Sequence, residues 1–220
     1  MTLTHHILPA RSGQTRSLVV LLHGFGSQGQ DMLGLARTLS MALPDTTFLV
    51  PDAPDAAPGR PGGCMWYTIP ELGLSTAAEA DLRLQASARK LDTFLDDQLA
   101  AHGLPAAAMA LLGISQGAGL AYEVAPRRRD QLAGVVAISG RMKRKGTLAA
   151  EVGSKPPFLI LNGAKDNLLS TDETAQTATA LSQVGIPAMR IIMAGVGHGI
   201  SDDGIGAARD FLKSVLHAAT

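Results

Sequence analysis

The chain has 220 residues, 46% of them hydrophobic, with 24 glycines, 12 prolines and a formal net charge of +0. That length suits one globular domain over residues 1–220 with a large core, and the neutral balance argues against a dedicated nucleic-acid binder, which would carry a basic surface. The single cysteine, Cys64, excludes an intrachain disulfide and a cysteine-rich zinc site.

In chain order, the first 17 residues contain His5, His6, Arg11 and Arg16 and no apolar stretch, so no signal peptide is expected. No apolar run approaches the ~18 residues of a membrane span, and the chain reads as soluble and cytoplasmic. Residues 17–22 form a continuous aliphatic run that ends at His23 and Gly24, the pattern of a parallel strand buried on both faces. A helix fits 31–43 and a strand 46–50. Residues 51–75 are irregular and rich in Pro and Gly. Because this segment leaves the C-terminal end of a strand, where open α/β sheets bind ligands, it is expected to be functional. A helix follows over 76–101: Leu84, Ala88, Leu91, Leu95 and Leu99 share one face, and Thr76 with Glu79 makes a capping box. Strands are expected at 109–112, 132–138, 158–161 and 190–193, and helices at 116–125, 170–184 and 202–218. Alternation of this kind predicts a doubly wound, mostly parallel sheet with helices on both faces. No internal repeat or linker divides it.

The strand at 109–112 runs into Gly113-Ile114-Ser115-Gln116-Gly117, a G-x-S-x-G pattern followed by helical sequence. This is the nucleophile-elbow pattern, in which a sharp strand-to-helix turn exposes a Ser hydroxyl. Glycine is needed on both flanks because a Cβ would collide with neighbouring backbone. A Ser hydroxyl is a poor nucleophile until a base takes its proton. Of six histidines, His198 is the candidate base, since it sits among small residues in the loop between the last strand and the last helix. His5 and His6 lie near the terminus, His102 at a helix end and His217 within the last helix. His23 opens a turn and reads as a structural hydrogen-bonding group. Asp166, in the turn after the strand at 158–161, is the candidate carboxylate that orients the imidazole. Asp130 precedes a strand, and Asp172, Glu173, Asp202 and Asp203 read as first-turn helix residues. The N–H groups of Gln116 and of Phe25, in the turn His23-Gly24-Phe25-Gly26-Ser27, are the expected oxyanion donors. Loss of one such donor costs about 3–4 kcal/mol of transition-state stabilisation. No G-K-[ST] follows that turn, so it is not a P-loop.

Met65, Trp66, Ile69, Leu72 and Leu74 either line a substrate pocket or pin the 51–75 segment to the body. Cys64 reads as a small hydrophobe. Basic residues fall in two groups, Arg127 to Arg129 before the strand at 132–138 and Arg141 to Lys145 after it. At about 3.3 Å per residue the strand is expected to hold the groups roughly 23 Å apart, leaving only the second near the C-terminal edge. That second group either attracts an anionic acyl substrate or lipid surface, or is a solvated loop.

With these residues assembled, the chain resembles the phospholipase/carboxylesterase family of α/β-hydrolases, which includes bacterial carboxylesterases and acyl-protein thioesterases. The resemblance covers nearly the whole chain. It rests on Leu22-His23-Gly24-Phe25-Gly26, the Gly113 to Gly117 elbow, Pro51-Asp52-Ala53-Pro54 with Trp66-Tyr67, Ile138-Ser139-Gly140, Asn162-Gly163-Ala164-Lys165-Asp166 and Gly197-His198-Gly199-Ile200-Ser201. It implies an α/β-hydrolase fold without a large cap domain, no cofactor, no metal, and a small-molecule ester or acyl substrate. Residues 54–65 depart from the family pattern, so acyl-length preference does not carry over. The expected chemistry is ester or thioester hydrolysis through an acyl-enzyme on Ser115. The rival reading is an inactive scaffold that binds a ligand or partner, and a homodimer stays open.

Overall fold

The computed structural model describes residues 3–217. In chain order its elements are β1 (His5–Leu8), β2 (Ser17–Leu22), α1 (Leu33–Ser40), β3 (Thr46–Pro51), β4 (Asp55–Ala56), β5 (Cys64–Met65), α2 (Ala77–His102), β6 (Met109–Ile114), α3 (Gln116–Val124), β7 (Gly134–Ile138), α4 (Leu148–Glu151), β8 (Phe158–Gly163), α5 (Thr171–Gln183), β9 (Ala188–Met193) and α6 (Asp202–His217). Seven strands make one sheet in the order β1-β3-β2-β6-β7-β8-β9, while β4 and β5 pair as a separate ribbon. Every neighbouring pair in the large sheet is parallel except β1 with β3.

The aliphatic runs divide between the two faces as strand geometry requires. Leu18, Val20, Leu22, Met109, Leu111, Val135, Ala137, Phe158 and Ile160 enter one apolar cluster with α2, α3 and α5. Their alternates, Val19, Leu21, Ala110, Leu112, Val136, Ile138, Leu159 and Leu161, enter the other with α1 and α6. Both faces are therefore covered, which is why these strands read as unbroken apolar runs. Leu84, Leu91, Leu95 and Leu99 of α2 are buried in the first cluster. Thr76 caps that helix: its Oγ1 accepts the Glu79 N–H at 3.2 Å, and the Glu79 carboxylate accepts the Thr76 N–H at 2.8 Å.

From β2 the chain moves outward to β3, and from β6 it moves the other way to β7. The order thus reverses between β2 and β6. In an open α/β sheet the ordinary ligand site lies beyond the C-terminal ends of the strands at such a reversal.

The structure departs from the sequence reading in several places. β1 is a short edge strand with mixed exposure and so has no apolar run to betray it. The exposed pattern of β9, also an edge strand, hides its first two residues, and β7 starts two residues later than expected. The 31–43 helix begins as a 3-10 turn at Gly29–Met32 and ends at Ser40. The helix expected at 202–218 runs to His217; Ala218 lies outside the described residues. The 51–75 segment is not wholly irregular, since β4 and β5 form its ribbon and Ser27 bridges to Cys64.

The two basic groups are not held apart. After β7 the chain folds back along α3, so Arg127 Nη2 donates to the carbonyl of Arg144 at 3.3 Å. Both guanidiniums share two carboxylates: Arg127 reaches Glu123 at 3.1 Å and Glu151 at 2.6 Å, and Arg144 pairs with Glu123 and reaches Glu151 at 2.7 Å. Strand length separated the groups on paper, but the return of the following loop cancels that separation. Arg128 pairs with Asp92 and lies 2.6 Å from Asp96, one turn further along α2. The charges of Arg127, Arg128 and Arg144 are thus matched within the protein.

Burial disfavours ionisation of Glu151, but the Thr147 hydroxyl and the Arg127 and Arg144 guanidiniums outweigh it and hold the carboxyl down to about 2. A folded-state value below the unfolded one contributes stability at neutral pH that is lost as the pH falls through that window. Glu151→Gln should therefore be less stable than the parent near neutral pH. The gap in urea midpoint should close as the pH falls from 4.5 towards about 2. A gap independent of pH would show that the carboxylate charge is not what stabilises the network.

Candidate active site

Ser115 sits between β6 and α3 at φ 54 and ψ −112, a region costing an L-residue about 1–3 kcal/mol. The surroundings enforce it. The Ser115 N–H donates to Ile138 O at 2.8 Å, and its carbonyl accepts the Gly119 N–H at 3.0 Å. A Cβ on Gly113 would meet the Gly117 backbone, one on Gly117 would meet the Leu22 carbonyl, and one on Gly140 would meet Ala118. The flanking glycines thus have the steric role expected of an elbow.

His198 Nε2 lies 2.9 Å from Ser115 Oγ, and His198 Nδ1 lies 2.9 Å from Asp166 Oδ2. The Asp166 side chain is fully buried and that of His198 is 26% exposed. Burial alone would raise the Asp166 pKa. The Leu168 N–H, the His198 ring and the Leu169 N–H outweigh that and hold it below the ordinary carboxylate value. An ionised carboxylate can only accept, so Nδ1 carries a proton, and in the neutral imidazole Nε2 is then the acceptor that faces the Ser115 hydroxyl. Asp166 Oδ1 accepts N–H bonds from Leu168 at 2.9 Å and Leu169 at 3.0 Å. Asn162, buried in β8, donates to Asp166 Oδ2 at 3.4 Å and to Leu169 O at 3.4 Å.

The loops bearing Asp166 and His198 are fastened to each other. Ala164 N–H donates to Met193 O at 2.9 Å and Lys165 N–H to Val196 O at 2.8 Å. Such close passage needs Gly163, whose Cβ would strike the Gly197 carbonyl. Ser139 Oγ adds a contact of 3.4 Å to the Gly199 carbonyl.

Facing this group, Ser27 N–H reaches Gly24 O at 3.4 Å, and Gly26 has φ +77. That is a type II turn with Phe25 and Gly26 at its centre, and the left-handed position is taken by glycine as the turn requires. The turn is tied down by the Gly26 N–H to Cys64 O at 2.9 Å. A Cβ on Gly24 would lie 3.4 Å from Ser115 Cβ, so the turn abuts the elbow. Gln116 opens α3, so its N–H has no acceptor within the helix.

His23 is buried and neutral. Burial lowers its pKa. Nδ1 donates to Gly24 O at 2.8 Å, leaving Nε2 to accept the Ala53 N–H at 3.0 Å. It is a structural group, as its place in the turn suggested.

The residues read as pocket lining separate into two kinds. Trp66 is wholly buried: its indole N–H donates to His23 O at 3.0 Å, and its carbonyl accepts the Ser87 hydroxyl. Met65 is buried beside it. For Trp66 the pocket assignment is corrected, because it keeps no exposed surface and belongs to the first apolar cluster; it pins the segment to the body, whereas Met65 keeps 7% exposure and belongs to neither cluster. Leu72 is 57% exposed, and Leu74 and Ile69 are half-buried.

Sequence reasoning missed the Gln116 side chain. Its Oε1 accepts the Trp66 N–H at 2.9 Å and its Nε2 donates to the Tyr67 carbonyl. The amide therefore stitches the 51–75 segment to the elbow. A buried Gln directly after an elbow Ser, one donor and one acceptor with a polar backbone to satisfy, was the available signal.

Fold and site together define an α/β-hydrolase. The chain belongs to the phospholipase/carboxylesterase family, whose model matches residues 4–216. It is similar to acyl-protein thioesterase 1 of Debaryomyces hansenii, 23% identical over 219 residues that cover 94% of this chain and 94% of that one. It is also similar to a probable carboxylesterase of Oryza sativa, 25% identical over 211 residues, 92% of this chain and 89% of that one. Among solved structures it resembles esterase PE8, with 36% identity, a TM-score of 0.93 and coverage of 98% of this chain and 100% of that one. Family membership places the chain among hydrolases of the esterase and thioesterase class. Among the described residues no helix is long and apolar enough to cross a membrane.

Gln116→Leu leaves the Trp66 N–H and the Tyr67 carbonyl unpaired in the interior, at about 1–3 kcal/mol each. The variant should lose roughly 2–4 kcal/mol in urea unfolding. Trp66 is the only tryptophan, so its emission reports the same site and should shift to the red. Unchanged stability and emission would show that the stitch carries no load.

Proposed function

We propose that the chain hydrolyses carboxylic esters or acyl thioesters through an acyl-enzyme on Ser115, with His198 as base and Asp166 as its orienting carboxylate. The observation that carries this reading is the unbroken relay from Ser115 Oγ through His198 to Asp166, with both links at 2.9 Å. It stands where the strand order reverses, at the C-terminal edge of the sheet.

In the first step His198 Nε2 takes the Ser115 proton as Oγ forms a bond to the substrate carbonyl carbon. The imidazolium is stabilised by Asp166, which stays ionised. The carbonyl π electrons move onto oxygen, and the N–H groups of Phe25 and Gln116 donate hydrogen bonds to that oxyanion. Collapse breaks the bond to the leaving alcohol or thiol, which takes the proton from His198. Water then repeats the sequence on the acyl-enzyme: it gives a proton to Nε2, and the acid leaves as Ser115 Oγ regains that proton. Support for Phe25 is its place in a turn abutting Ser115; support for Gln116 is its place at the first position of α3. Leu72 and Leu74 keep surface with which to meet an acyl chain.

Ser115→Ala should abolish turnover of p-nitrophenyl esters from C2 to C12 and of matched acyl thioesters while leaving the urea midpoint unchanged. Asp166→Asn should fold and lose about 10⁴ in kcat, because the amide fixes the wrong imidazole tautomer. A fluorophosphonate probe should label the parent on Ser115. A Ser115→Ala enzyme with full activity would overturn the scheme, and folded parent protein that neither turns over these substrates nor takes the probe would point to an inactive scaffold.

A further inference from the structure

Arg141, two residues past the Ser139 that contacts the His198 loop, spans three segments with one guanidinium. Its Nε donates to Glu173 Oε1 at 2.6 Å and its Nη2 to Glu173 Oε2 at 3.3 Å. Nη2 also donates to the Leu168 carbonyl at 3.1 Å. Nη1 lies 3.7 Å from Glu71 Oε1, in the 3-10 turn Pro70–Leu72.

The Glu173 pair alone would be an ordinary half-exposed ion pair, worth little. The bond to Leu168 is different in kind. The Leu168 carbonyl and the Leu169 N–H belong to one planar peptide unit and point in opposite directions. Arg141 grips the oxygen side of that plane, and the N–H on its other side donates to Asp166 Oδ1 at 3.0 Å. Fixing the carbonyl fixes the direction of the N–H. A cation on the carbonyl also polarises the peptide and strengthens the donor on its far side. Glu173 anchors the other end of the same short stretch, since its carboxylate accepts the Ser170 N–H at 3.2 Å. From inside the protein Asn162 holds Asp166 and Leu169; from outside Arg141 holds Leu168 and Glu173.

We infer that Arg141 is a positioning residue for Asp166, holding the Leu168–Leu169 peptide so that the carboxylate keeps its line to His198. The inference rests on the proposed roles of Ser115, His198 and Asp166. Arg141 acts on the imidazole through three hydrogen bonds and one peptide unit, so its loss loosens the relay without emptying it.

The test measures kcat and KM on p-nitrophenyl acetate, an ester too short to depend on a groove, together with the rate of fluorophosphonate labelling. The variants are Arg141→Ala, Arg141→Lys and, as control, Arg209→Ala, whose partner Asp210 lies next to it on α6. Urea unfolding gives the folded fraction of each. Arg141→Ala should lose about tenfold in kcat with KM within about twofold, and labelling should slow by the same factor per folded molecule. Arg141→Lys, which can reach Glu173 but offers no fork to serve Leu168 as well, should fall between. Arg209→Ala should match the parent. An Arg141→Ala enzyme whose kcat and labelling rate stay within about twofold of the parent overturns the inference, and so does a loss carried wholly by KM. Ser115→Ala run alongside separates the two levels. Activity in that variant overturns the reading beneath the inference, whereas a dead Ser115→Ala beside a fully active Arg141→Ala overturns the inference alone.

Discussion

The backbone of Ser115 is forced to a positive φ, and much of the surrounding sequence exists to make room for that turn. An L-residue at φ 54 is tolerated only where neighbours over-determine it. Here they do so by lacking side chains. Gly113, Gly117 and Gly140 each stand where a Cβ would overlap backbone or Ala118, and Gly24 closes the space on the far side. The first turn of α3 packs directly against the end of β2 because Gly117 has nothing to hold it away from Leu22. That contact brings the Phe25 turn against the Ser. The strain at one residue is thus coupled to the placement of the group facing it.

The loops bearing Asp166 and His198 obey a second closeness requirement. They leave adjacent parallel strands, β8 and β9, and must cross to meet. Gly163 allows the crossing, and two backbone hydrogen bonds secure it. Because the loops are joined at the backbone, the distance from Asp166 to His198 is set by main chain, and the side chains need only rotate into place. Two independent clamps on the Asp166 loop, Asn162 within and Arg141 without, limit that rotation. The His198 side chain is more exposed than that of Asp166.

What could be read from the sequence follows from what each signal depends on. The buried strands were legible because a parallel sheet covered on both faces needs continuous aliphatic runs. The turn residues Gly113 and Gly117 were visible because steric demand selects one amino acid, and order along the chain singled out Ser115, Asp166 and His198. β1 was not legible, because an edge strand has no buried run to show. The Arg127–Arg144 network was missed because it depends on where a loop returns, which strand length does not encode. The Gln116 stitch was missed for a related reason: its partners are main-chain atoms 50 residues away, and any residue can supply those.

The 51–75 segment carries two jobs that its composition blends together. Trp66 and Tyr67 are spent on structure. Trp66 closes over the His23 carbonyl, and its own backbone is held by Gln116 and Ser87. Any change there is felt at the elbow, because the same amide that holds Trp66 belongs to the residue following Ser115. The stretch from Ile69 to Leu74 has no such tie. It is fastened by a distant Glu71–Arg141 pair and by the Ser75 hydroxyl bonding Thr68 at 2.7 Å just beyond it. Leu72 points into solvent there without disturbing the core. Substrate preference is therefore best sought in Ile69 to Leu74, where side chains can vary while the strained turn at Ser115 keeps the support it needs.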